Sequence, residues 1–369
     1  MSEREMREGE GRGKRKREVS VEEEDGKKRK IHDVALETKN VSTENVKKIG
    51  CPHVAIFETT IYPGRILDVK KAPHAPYRRR RFEKKTALHW GQRKLLMSEI
   101  EFLTEYANLS LPVLYVGAAP GIHINVLVRL FPDVRFILVD PREFKVRKSS
   151  TVEIRREVFC DESARGIVKD FGRVNFISDI RSVDWKTHDE ESLEMHVWQD
   201  MIDQQRWHTI LSPYASMLKF RLPWNKRQSD YLKGVILFPI WSAPTSTECR
   251  LVVPSSSSSS SKETYDNVKY CNQMFYFQTR TRVSMYGDAH RCYDCVSERK
   301  ILRRYMEKFG GVVSAQKTEM CVSELSTYIS ESLSTSSFRS IKDAAIVPKI
   351  DGSGKEMKTG DVSKLSWDS

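Results

Sequence analysis

Residues Leu111–His123 read LPVLYVGAAPGIH and join an apolar run to a turn of small residues. The apolar run Val113–Val116 stops at Gly117, and a second run, Arg135–Val139, stops at Asp140. This order predicts a strand, a small-residue turn, a helix and a second strand ending in an acid, as in Rossmann-type sheets that bind nucleotide-like ligands. The glycines are spaced G-x-x-x-G rather than G-x-G-x-x-G, and the chain enters its helix through a proline, which favours S-adenosylmethionine over a dinucleotide. On this stretch alone, a tight turn in an unrelated α/β domain remains open.

Length and composition bound the fold class. The 369 residues suffice for one large domain with tails or for two domains. A hydrophobic content of 39% and a charged content of 30% fit a soluble protein with one substantial core. The net charge of +12 lies largely in local runs, which indicates a polyanionic partner such as RNA, DNA or an acidic membrane surface. No apolar run approaches the roughly 20 residues of a membrane span, and the first residues lack the apolar core of a secretory signal.

The seven cysteines are scattered, which is typical of reduced thiols in an intracellular protein. Cys292 and Cys295 form a single CxxC with His290 nearby, but no second CxxC follows. Because a zinc site needs more ligands, we expect no metal here. The alternative is a redox or metal role for this pair.

Residues 1–48 are almost wholly polar, so we expect a disordered tail. Two basic clusters, Lys14–Arg17 and Lys27–Lys30, flank an acidic spacer and resemble a bipartite nuclear import signal, which predicts a nuclear protein. A solvated charged tail or a loose RNA-binding arm is the alternative. Further along, Tyr77 precedes Arg78–Arg81. A tyrosine there can stack on a base while the arginines bind phosphates, although an exposed loop fits equally well.

The rest of the chain alternates between strand and helix patterns. An amphipathic helix is predicted over 87–107, with Leu96, Ile100 and Leu103 on its buried stripe. Strands are predicted over about 53–61, 112–116, 135–139, 174–178, 215–222, 234–239 and 249–253, and helices over about 121–130, 189–212 and 291–309. Residues 153–170 predict a strand or helix pair, and 263–286 contain a strand-like segment. The alternation indicates a mostly parallel, doubly wound sheet within one domain, 49–330.

Two low-complexity segments interrupt or follow this domain. Ser255–Ser261 is a run of seven serines, which predicts a flexible insertion over 255–262. From about residue 331 the periodicity is lost, so 331–369 is predicted to be a disordered tail.

Four charged residues lie at or near predicted strand ends: Lys94, Asp179, Lys219 and Glu248. Ligands of open α/β sheets bind at the carboxyl ends of the strands. Taken singly, each residue is an ordinary surface lysine, strand-capping carboxylate or loop acid. Together, two lysines and two acids around a small-molecule site predict a balanced buried network that can shift the pKa of a lysine.

Seven ordered blocks over about 87–285 resemble the poxvirus cap-specific mRNA nucleoside 2′-O-methyltransferases, which also serve as poly(A) polymerase regulatory subunits, and the kinetoplastid nuclear cap methyltransferases. The blocks are GQRKLL at 91–96, YVGAAPGIH at 115–123, VDPR at 139–142, FCDE at 159–162, ISDIRS at 177–182, ASMLKFRLPW at 215–224 and STECR at 246–250. The resemblance implies a Rossmann-like S-adenosylmethionine-dependent methyltransferase fold of the α/β class. Its sheet would be mostly parallel and of the seven-stranded type, with helices on both faces and disordered tails.

The resemblance also implies residue roles. It places the catalytic tetrad on Lys94, Asp179, Lys219 and Glu248, with Lys219 activating a ribose 2′-hydroxyl because burial and the nearby Lys94 lower its pKa. Contacts to S-adenosylmethionine are implied for Gln92, Tyr115, Gly117, Gly121, His123, Asp140, Arg142, Cys160, Asp179 and Arg181, with Asp140 on the adenosine ribose. Contacts to capped RNA are implied for Tyr77, Arg221, Trp224, Ser246, Thr247 and Glu248, with the methylguanine stacked between Tyr77 and Trp224.

Two positions depart from that pattern. The family's acidic partner for the guanine edge falls on Cys271, and the acid two positions past the aromatic is replaced by Lys226. We therefore expect the enzyme to read the cap differently or to modify a nucleotide further into the RNA. The competing functions are a non-catalytic RNA-binding subunit of a capping or polyadenylation complex and a 2′-O-methyltransferase of ribosomal or transfer RNA. Capping or polyadenylation proteins are the partners these readings imply, and a complete tetrad argues against a pure scaffold.

Overall fold

The structure is a computed structural model that describes residues 57–59, 61–78, 91–182, 190–243, 246–255, 261–286, 291–310 and 315–334. Several sequence predictions lie outside these residues. They are the tail at 1–48 with its two basic clusters, Arg79–Arg81, His290, the serines at 256–260 and the tail from 335 onward.

Twelve strands and seven α-helices make up the described part of the chain. The strands are β1 (Phe57–Thr59), β2 (Val113–Val116), β3 (Phe136–Val139), β4 (Val152–Arg155), β5 (Asn175–Ser178), β6 (Ser216–Phe220), β7 (Gln228–Leu232), β8 (Val235–Leu237), β9 (Cys249–Val253), β10 (Lys262–Asp266), β11 (Ser284–Tyr286) and β12 (Arg291–Cys292). The helices are α1 (Gly91–Glu105), α2 (Ile124–Leu130), α3 (Asp161–Phe171), α4 (Glu190–Leu211), α5 (Asn267–Tyr276), α6 (Tyr293–Phe309) and α7 (Ala315–Ser334).

A seven-stranded sheet forms the centre, in the order β4-β3-β2-β5-β6-β9-β8. Strands β4, β3, β2, β5 and β6 are parallel, whereas β9 runs antiparallel to both of its neighbours. From β2 the chain moves outward to β3 and β4, then returns to β5 and continues to β6 on the other side. The strand order therefore reverses between β2 and β5, the point at which open α/β sheets bind ligands. The predicted mostly parallel α/β sheet is confirmed.

Three adjacent strands of this sheet are buried along their whole length. Every residue of β2, β3 and β5 is buried, as expected for parallel strands covered on both faces. Two groups of helices flank the sheet: α3 packs on α4, while α1 contacts α2, α6 and α7. The continuous apolar runs in the sequence thus mark the strands that position the site.

Helix α2 begins later than predicted. We expected a helix from about residue 121, but it starts at Ile124 and residues 117–123 form a loop. Gly117 and Gly121 adopt φ values of +78° and +68°. Those values are incompatible with the α-helical φ near −63°, so the helix can start only after the second glycine. We call Gly117–His123 the glycine loop.

Helix α1 differs from a surface amphipathic helix. Leu96, Ile100 and Leu103 are fully buried as predicted, but Arg93 and Glu99, which flank this stripe, are buried as well. The cause is that α1 packs between the sheet and the α6–α7 pair. These two charged residues are therefore paired in the interior rather than solvated.

The region after the serine run is more structured than predicted. The strand-like segment expected within 263–286 is present as β11. It is preceded by β10, which pairs with β7, by α5 and by a π-helical turn at Phe277–Thr281. Asp266 caps α5 by accepting a hydrogen bond from the Lys269 backbone at 2.9 Å. At the other end, α7 continues to Ser334 with Leu333 buried, so the predicted tail boundary at 331 was four residues too early.

No helix in the described part of the chain is both long enough and apolar enough to span a membrane.

Candidate active site at the carboxyl ends of the strands

The backbone of the glycine loop lies very close to the backbone that follows β5. A Cβ at Gly117 would lie 2.8 Å from the Asp179 carbonyl carbon and 2.8 Å from the Ile180 nitrogen, both just after β5. A Cβ at Gly121 would lie 2.9 Å from the Ala118 oxygen. Both positions therefore require glycine, and the loop lies directly against the end of the neighbouring strand.

An acid marks the end of β3 beside this loop. The side chain of Asp140 is buried, and its carboxylate accepts a hydrogen bond from the Ala119 backbone at 3.2 Å. Arg142 donates to the same carboxylate from its backbone at 2.9 Å and from Nε at 3.0 Å. Asp140 is thus held rigidly at the loop, where a carboxylate can accept hydrogen bonds from ribose hydroxyls.

A buried polar network supports the loop from the side of α1. Gln92 accepts hydrogen bonds from the His123 backbone at 3.2 Å and from its Nδ1 at 2.7 Å. His123 Nε2 lies 2.8 Å from a Glu99 oxygen, which also accepts a hydrogen bond from the Tyr115 hydroxyl at 2.7 Å. Burial raises the pKa of Tyr115 well above its ordinary value, so this hydroxyl stays a donor. Among the predicted cofactor residues, His123 and Tyr115 therefore meet on Glu99, and Gln92 is joined to them through His123. Sequence reasoning did not single out Glu99.

The four predicted tetrad residues come together. Lys94 Nζ lies 2.8 Å from Glu248 Oε1, and Lys219 Nζ lies 3.0 Å from Asp179 Oδ1. Lys219 also donates to the backbone oxygens of Asp179 at 3.3 Å and Ile180 at 3.2 Å. All four side chains are at most 18% exposed.

Arg250 is the fifth member of this arrangement, and sequence reasoning did not single it out. Its guanidinium lies 2.8 Å from Asp179 Oδ1 and 3.5 Å from Glu248 Oε1, so it joins the two ion pairs. Arg250 is directly opposite Lys219 in the β6–β9 register. We call Lys94, Asp179, Lys219, Glu248 and Arg250 the charged cluster.

The electrostatics of the cluster differ from the predicted balanced network. With Arg181, whose guanidinium lies 3.9 Å from Glu248, four cations surround two carboxylates. Burial by itself would raise the pKa of each acid, but Lys94, Lys219 and Arg250 hold the pKa of Glu248 well below its usual range, and Asp179 is lowered in the same way. Both carboxylates are therefore ionised at neutral pH.

The pKa of Lys219 is lowered, as predicted, but for a partly different reason. Burial is the largest cause, Asp179 and Glu248 oppose it, and the cations that lower the pKa are Arg181 and Arg250. Lys94, which we expected to have this effect, is paired with Glu248 and is not among the largest causes of the shift. A lysine with a lowered pKa is more readily neutral and can accept a proton.

We expect the Arg250→Gln substitution to raise the pKa of Lys219, because the neighbouring guanidinium charge is lost while Asp179 remains. The measurement is the titration of the Lys219 Cε resonance by NMR in protein labelled with ¹³C-lysine, assigned with Lys219→Arg. Arg250→Lys keeps a cation at the position and should move the midpoint less. A midpoint that stays in place or falls in Arg250→Gln contradicts the role assigned to Arg250.

Two aromatic rings that were predicted to bind the cap lie against each other. The centroids of Tyr77 and Trp224 are 5.5 Å apart, and their planes are tilted by 42°. A base held between two rings needs a separation of roughly 7 Å, twice the contact distance, so the rings would have to part and align. Arg221 lies over the Trp224 ring at 4.6 Å, and Glu194 pairs with Arg221 and accepts a hydrogen bond from the Trp224 backbone at 2.8 Å.

Helix α5 brings Tyr77 to this position. Asn272 accepts hydrogen bonds from the Ala75 backbone at 3.2 Å and, through Oδ1, from the Tyr77 backbone at 2.8 Å. Gln273 donates to the Val69 and Ala72 carbonyls. The segment before the arginine run is therefore fixed against α5, a contact that no local sequence signal indicates.

The two departures from the family pattern are close in sequence to these residues, since Cys271 precedes Asn272 and Lys226 follows Trp224 by two positions. Burial raises the pKa of Cys271 to about 12, so it is a neutral thiol. The Lys226 ammonium lies 4.1 Å from the Trp198 centroid. Neither side chain supplies a carboxylate for a guanine edge.

The remaining predicted residues lie around this centre. Ser246 Oγ accepts a hydrogen bond from the Glu248 backbone at 3.1 Å, and the Thr247 carbonyl accepts one from the Tyr270 hydroxyl, so both shape the Glu248 segment. Cys160 is the residue before α3, and its Sγ lies 3.4 Å from Ser163 Oγ. Among the described residues, no three His, Cys, Asp or Glu side chains are grouped so that they could bind a metal ion.

Two viral enzymes are similar in sequence. The cap-specific mRNA (nucleoside-2′-O-)-methyltransferase of fowlpox virus (strain NVSL) is 32% identical over 213 residues, which span 52% of this chain and 68% of that enzyme. The enzyme of the same name from myxoma virus (strain Lausanne) is 31% identical over 151 residues, 37% of this chain and 43% of that enzyme.

Among solved structures, the bluetongue virus VP4 protein, described as a multifunctional RNA-capping production line, aligns with 69% of this chain and 43% of its own at a TM-score of 0.39 and 15% identity. The model of the poly(A) polymerase regulatory subunit family matches residues 68–318, more than half of the chain. The matched range contains the glycine loop and the charged cluster. The chain belongs to the poly(A) polymerase regulatory subunit family.

Proposed function

We propose that this protein is an S-adenosylmethionine-dependent RNA 2′-O-methyltransferase that acts on ribose hydroxyls near the 5′ cap. The observation that carries the proposal is the buried Lys219 amine, which has a lowered pKa and lies 3.0 Å from Asp179 in the charged cluster. The names of the fowlpox and myxoma relatives support the same reaction.

The residues around the glycine loop fit S-adenosylmethionine. The Gly117 position has no room for a Cβ, and the buried Asp140 carboxylate adjoins it across the Ala119 backbone. Asp140 would hold the adenosine ribose, Gly117 and Gly121 would allow close approach, and Asp179 and Arg181 would face the amino-acid end. When bound, the cofactor supplies an electrophilic methyl group on a sulfonium.

Lys219 would act on the ribose hydroxyl. In its neutral form the amine has a lone pair that can accept the proton of the ribose 2′-hydroxyl. The ammonium that forms has three acceptors at hand: the Asp179 carboxylate and the carbonyls of Asp179 and Ile180. These acceptors orient the amine and stabilise the transferred proton, so the chain needs only to align oxygen, carbon and sulfur.

Tyr77 and Trp224 would form the cap-binding pair, with Arg221 behind the Trp224 ring. Methylguanine carries a positive charge, so aromatic faces attract it by stacking and cation–π interaction. Because Cys271 and Lys226 offer no carboxylate, we propose that stacking dominates recognition here.

The test compares methyl transfer from labelled S-adenosylmethionine to m7G-capped RNA, the same RNA without a cap, and structured ribosomal or transfer RNA. The proposal predicts a preference for the capped RNA, with the methyl group mapped by mass spectrometry to a nucleotide near the 5′ end. A preference for structured RNA would favour the alternative RNA methyltransferase, and binding without transfer to any substrate would favour the non-catalytic subunit.

The Trp224→Ala variant should lose much of the preference for capped over uncapped RNA. Stacking of a base on an aromatic side chain is worth about 1–3 kcal/mol, or roughly 5- to 150-fold in affinity. We expect the KM for capped RNA to rise and the activity on uncapped RNA to stay the same. Phe309→Ala, which removes another partly exposed ring, is the control. An unchanged capped-to-uncapped ratio in Trp224→Ala would argue against this cap site.

Nuclear residence is part of the proposal, supported by the two basic clusters at Lys14–Arg17 and Lys27–Lys30. A fluorescent fusion should lose nuclear accumulation when both clusters are replaced by alanine. Capping or polyadenylation proteins are the proposed partners.

A further inference from the structure

Helix α6 carries two buried acids one turn apart, and the proposed reaction uses neither. Asp294 is 0% and Glu298 is 4% exposed. Each pairs with a buried arginine from another part of the chain: Asp294 with Arg282 at 2.8 Å, and Glu298 with Arg93 at 2.8 Å. Burying an ion pair costs desolvation free energy, which only good geometry and additional hydrogen bonds offset. The further partners of these two acids show which segments they hold in place.

Glu298 connects the two segments that carry Lys94 and Glu248. On one side it binds Arg93 through both oxygens, and Arg93 is the residue before Lys94. On the other side it accepts a hydrogen bond at 2.7 Å from Nε1 of Trp241. Trp241, which has a φ of +54°, begins the segment that leads to Glu248. One carboxylate therefore holds the residue next to Lys94 and the start of the segment that leads to Glu248.

Asp294 reaches the same segment by a second route. Arg282, held by Asp294, donates to the Gln278 side-chain oxygen at 3.0 Å. The Gln278 amide in turn donates to Ser242 Oγ at 3.1 Å and to the Ser246 carbonyl at 2.9 Å. The segment before Glu248 is thus fixed near both of its ends by acids on α6.

Helix α7 completes the Glu298 site. Ser326 donates to Glu298 at 2.7 Å, and Arg93 donates to Ser330 at 2.9 Å. The C-terminal helical pair is therefore joined to α1 at the residue next to Lys94.

We propose that α6 is a positioning element for the methyl transfer, in which Glu298, supported by Asp294, sets the geometry of the Lys94–Glu248 pair and through it the charge around Lys219. This inference rests on the proposed function. Neither acid touches the reacting atoms, so both are positioning residues. Lys219 is faced by Asp179 and Arg181 after β5, by Glu248 and Arg250 at β9, and by Asp200 of α4. Of these, Glu248 is the group whose segment Glu298 holds.

The test uses Glu298→Gln, which keeps the shape of the side chain but removes its charge. Its matched control is Glu307→Gln on the same helix. The Glu307 side chain is 47% exposed, and its ion pair is with the exposed Arg304. Two quantities are measured on the full-length protein: kcat and KM for capped RNA, and the titration midpoint of the Lys219 Cε resonance without substrate.

We expect kcat to fall on the order of 10- to 100-fold in Glu298→Gln, as for a small misplacement of catalytic groups, with KM for capped RNA unchanged. The Lys219 midpoint should move to lower pH, because Glu248 raises the pKa of Lys219 when it is in place. Glu307→Gln should match the wild type in both measurements. Trp241→Phe, which removes only the indole donor to Glu298, should shift the midpoint in the same direction by less, and it serves as the second variant if Glu298→Gln folds poorly.

A Lys219 midpoint equal to that of the wild type in folded Glu298→Gln and Trp241→Phe proteins would overturn the inference. So would a loss of activity matched by a loss of folded protein. The two proposals can fail separately. An inactive wild-type protein would contradict the proposed methyltransferase function, whereas the titration of Lys219 decides the role of Glu298 in either case.

Discussion

Replacing Lys219 with alanine should reduce methyl transfer by about 10³-fold while leaving the fold and the binding of S-adenosylmethionine intact. General acid–base catalysis by a positioned side chain typically contributes 10²–10⁴-fold. The fold should survive because the Arg250 guanidinium also lies 2.8 Å from the Asp179 carboxylate. Asp179 therefore still has a cationic partner when the lysine is removed. Single-turnover rates on capped RNA and calorimetric titration with S-adenosylmethionine measure the two properties separately.

The pH dependence of the same variant gives an independent check. In the wild type the rate should rise with pH through the lowered pKa of Lys219, because only the neutral amine accepts a proton, and then level off. Lys219→Ala should lose this rise and keep a low, flatter rate. Lys233→Ala, which removes an exposed lysine just after β7, is the control and should behave as the wild type. Wild-type rates in Lys219→Ala would mean that the tetrad assignment is wrong.

The sequence was sufficient to predict the sheet because parallel strands have a strong local signal. The runs at β2, β3 and β5 are apolar throughout, since both of their faces are covered. Side chains that follow such strands meet at one edge, so Asp140 and Asp179 were predictable as neighbours of the glycine loop.

Arg250 could not be predicted because its place depends on strand pairing. Strand β9 runs antiparallel to β6, and the register sets Arg250 directly opposite Lys219. Side chains at opposite positions of an antiparallel pair lie on the same face, close enough to interact. A shift of one residue would turn Arg250 to the other face, and nothing local in CRLVV fixes that register.

Glu99 and Glu298 were missed for a different reason. Both lie on helices whose charged residues look like a solvated face in sequence, yet both are buried. Glu298 is buried where α6 and α7 pack against α1, a contact between segments about 200 residues apart. Glu99 is buried on the sheet side of α1, against Tyr115 and His123. The position of Tyr77 could not be predicted for a similar reason, because α5, which holds its segment, was not predicted as a helix.

Replacing Gly117 with alanine should abolish measurable binding of S-adenosylmethionine and destabilise the fold by about 3 kcal/mol. A positive φ costs a residue with a Cβ roughly 1–2 kcal/mol. The Cβ would also lie 2.8 Å from two backbone atoms at the end of β5, and forcing an atom into a packed site costs about 1–3 kcal/mol more. The displaced atoms belong to the peptide group between Asp179 and Ile180. The carbonyls of these two residues accept hydrogen bonds from Lys219, so the substitution disturbs the glycine loop and the amine together.

Gly64 is the matched control for this substitution. Its φ of +79° is almost the same as that of Gly117, but a Cβ there would meet nothing within 4 Å. The Gly64→Ala variant should therefore lose only the roughly 1–2 kcal/mol of folding stability that the positive φ costs, and it should bind the cofactor normally. Urea unfolding gives the difference in stability, and calorimetry gives the binding. If both variants are equally stable and both bind S-adenosylmethionine, the close approach at Gly117 is not what the site requires, and the ligand must lie elsewhere than against the glycine loop.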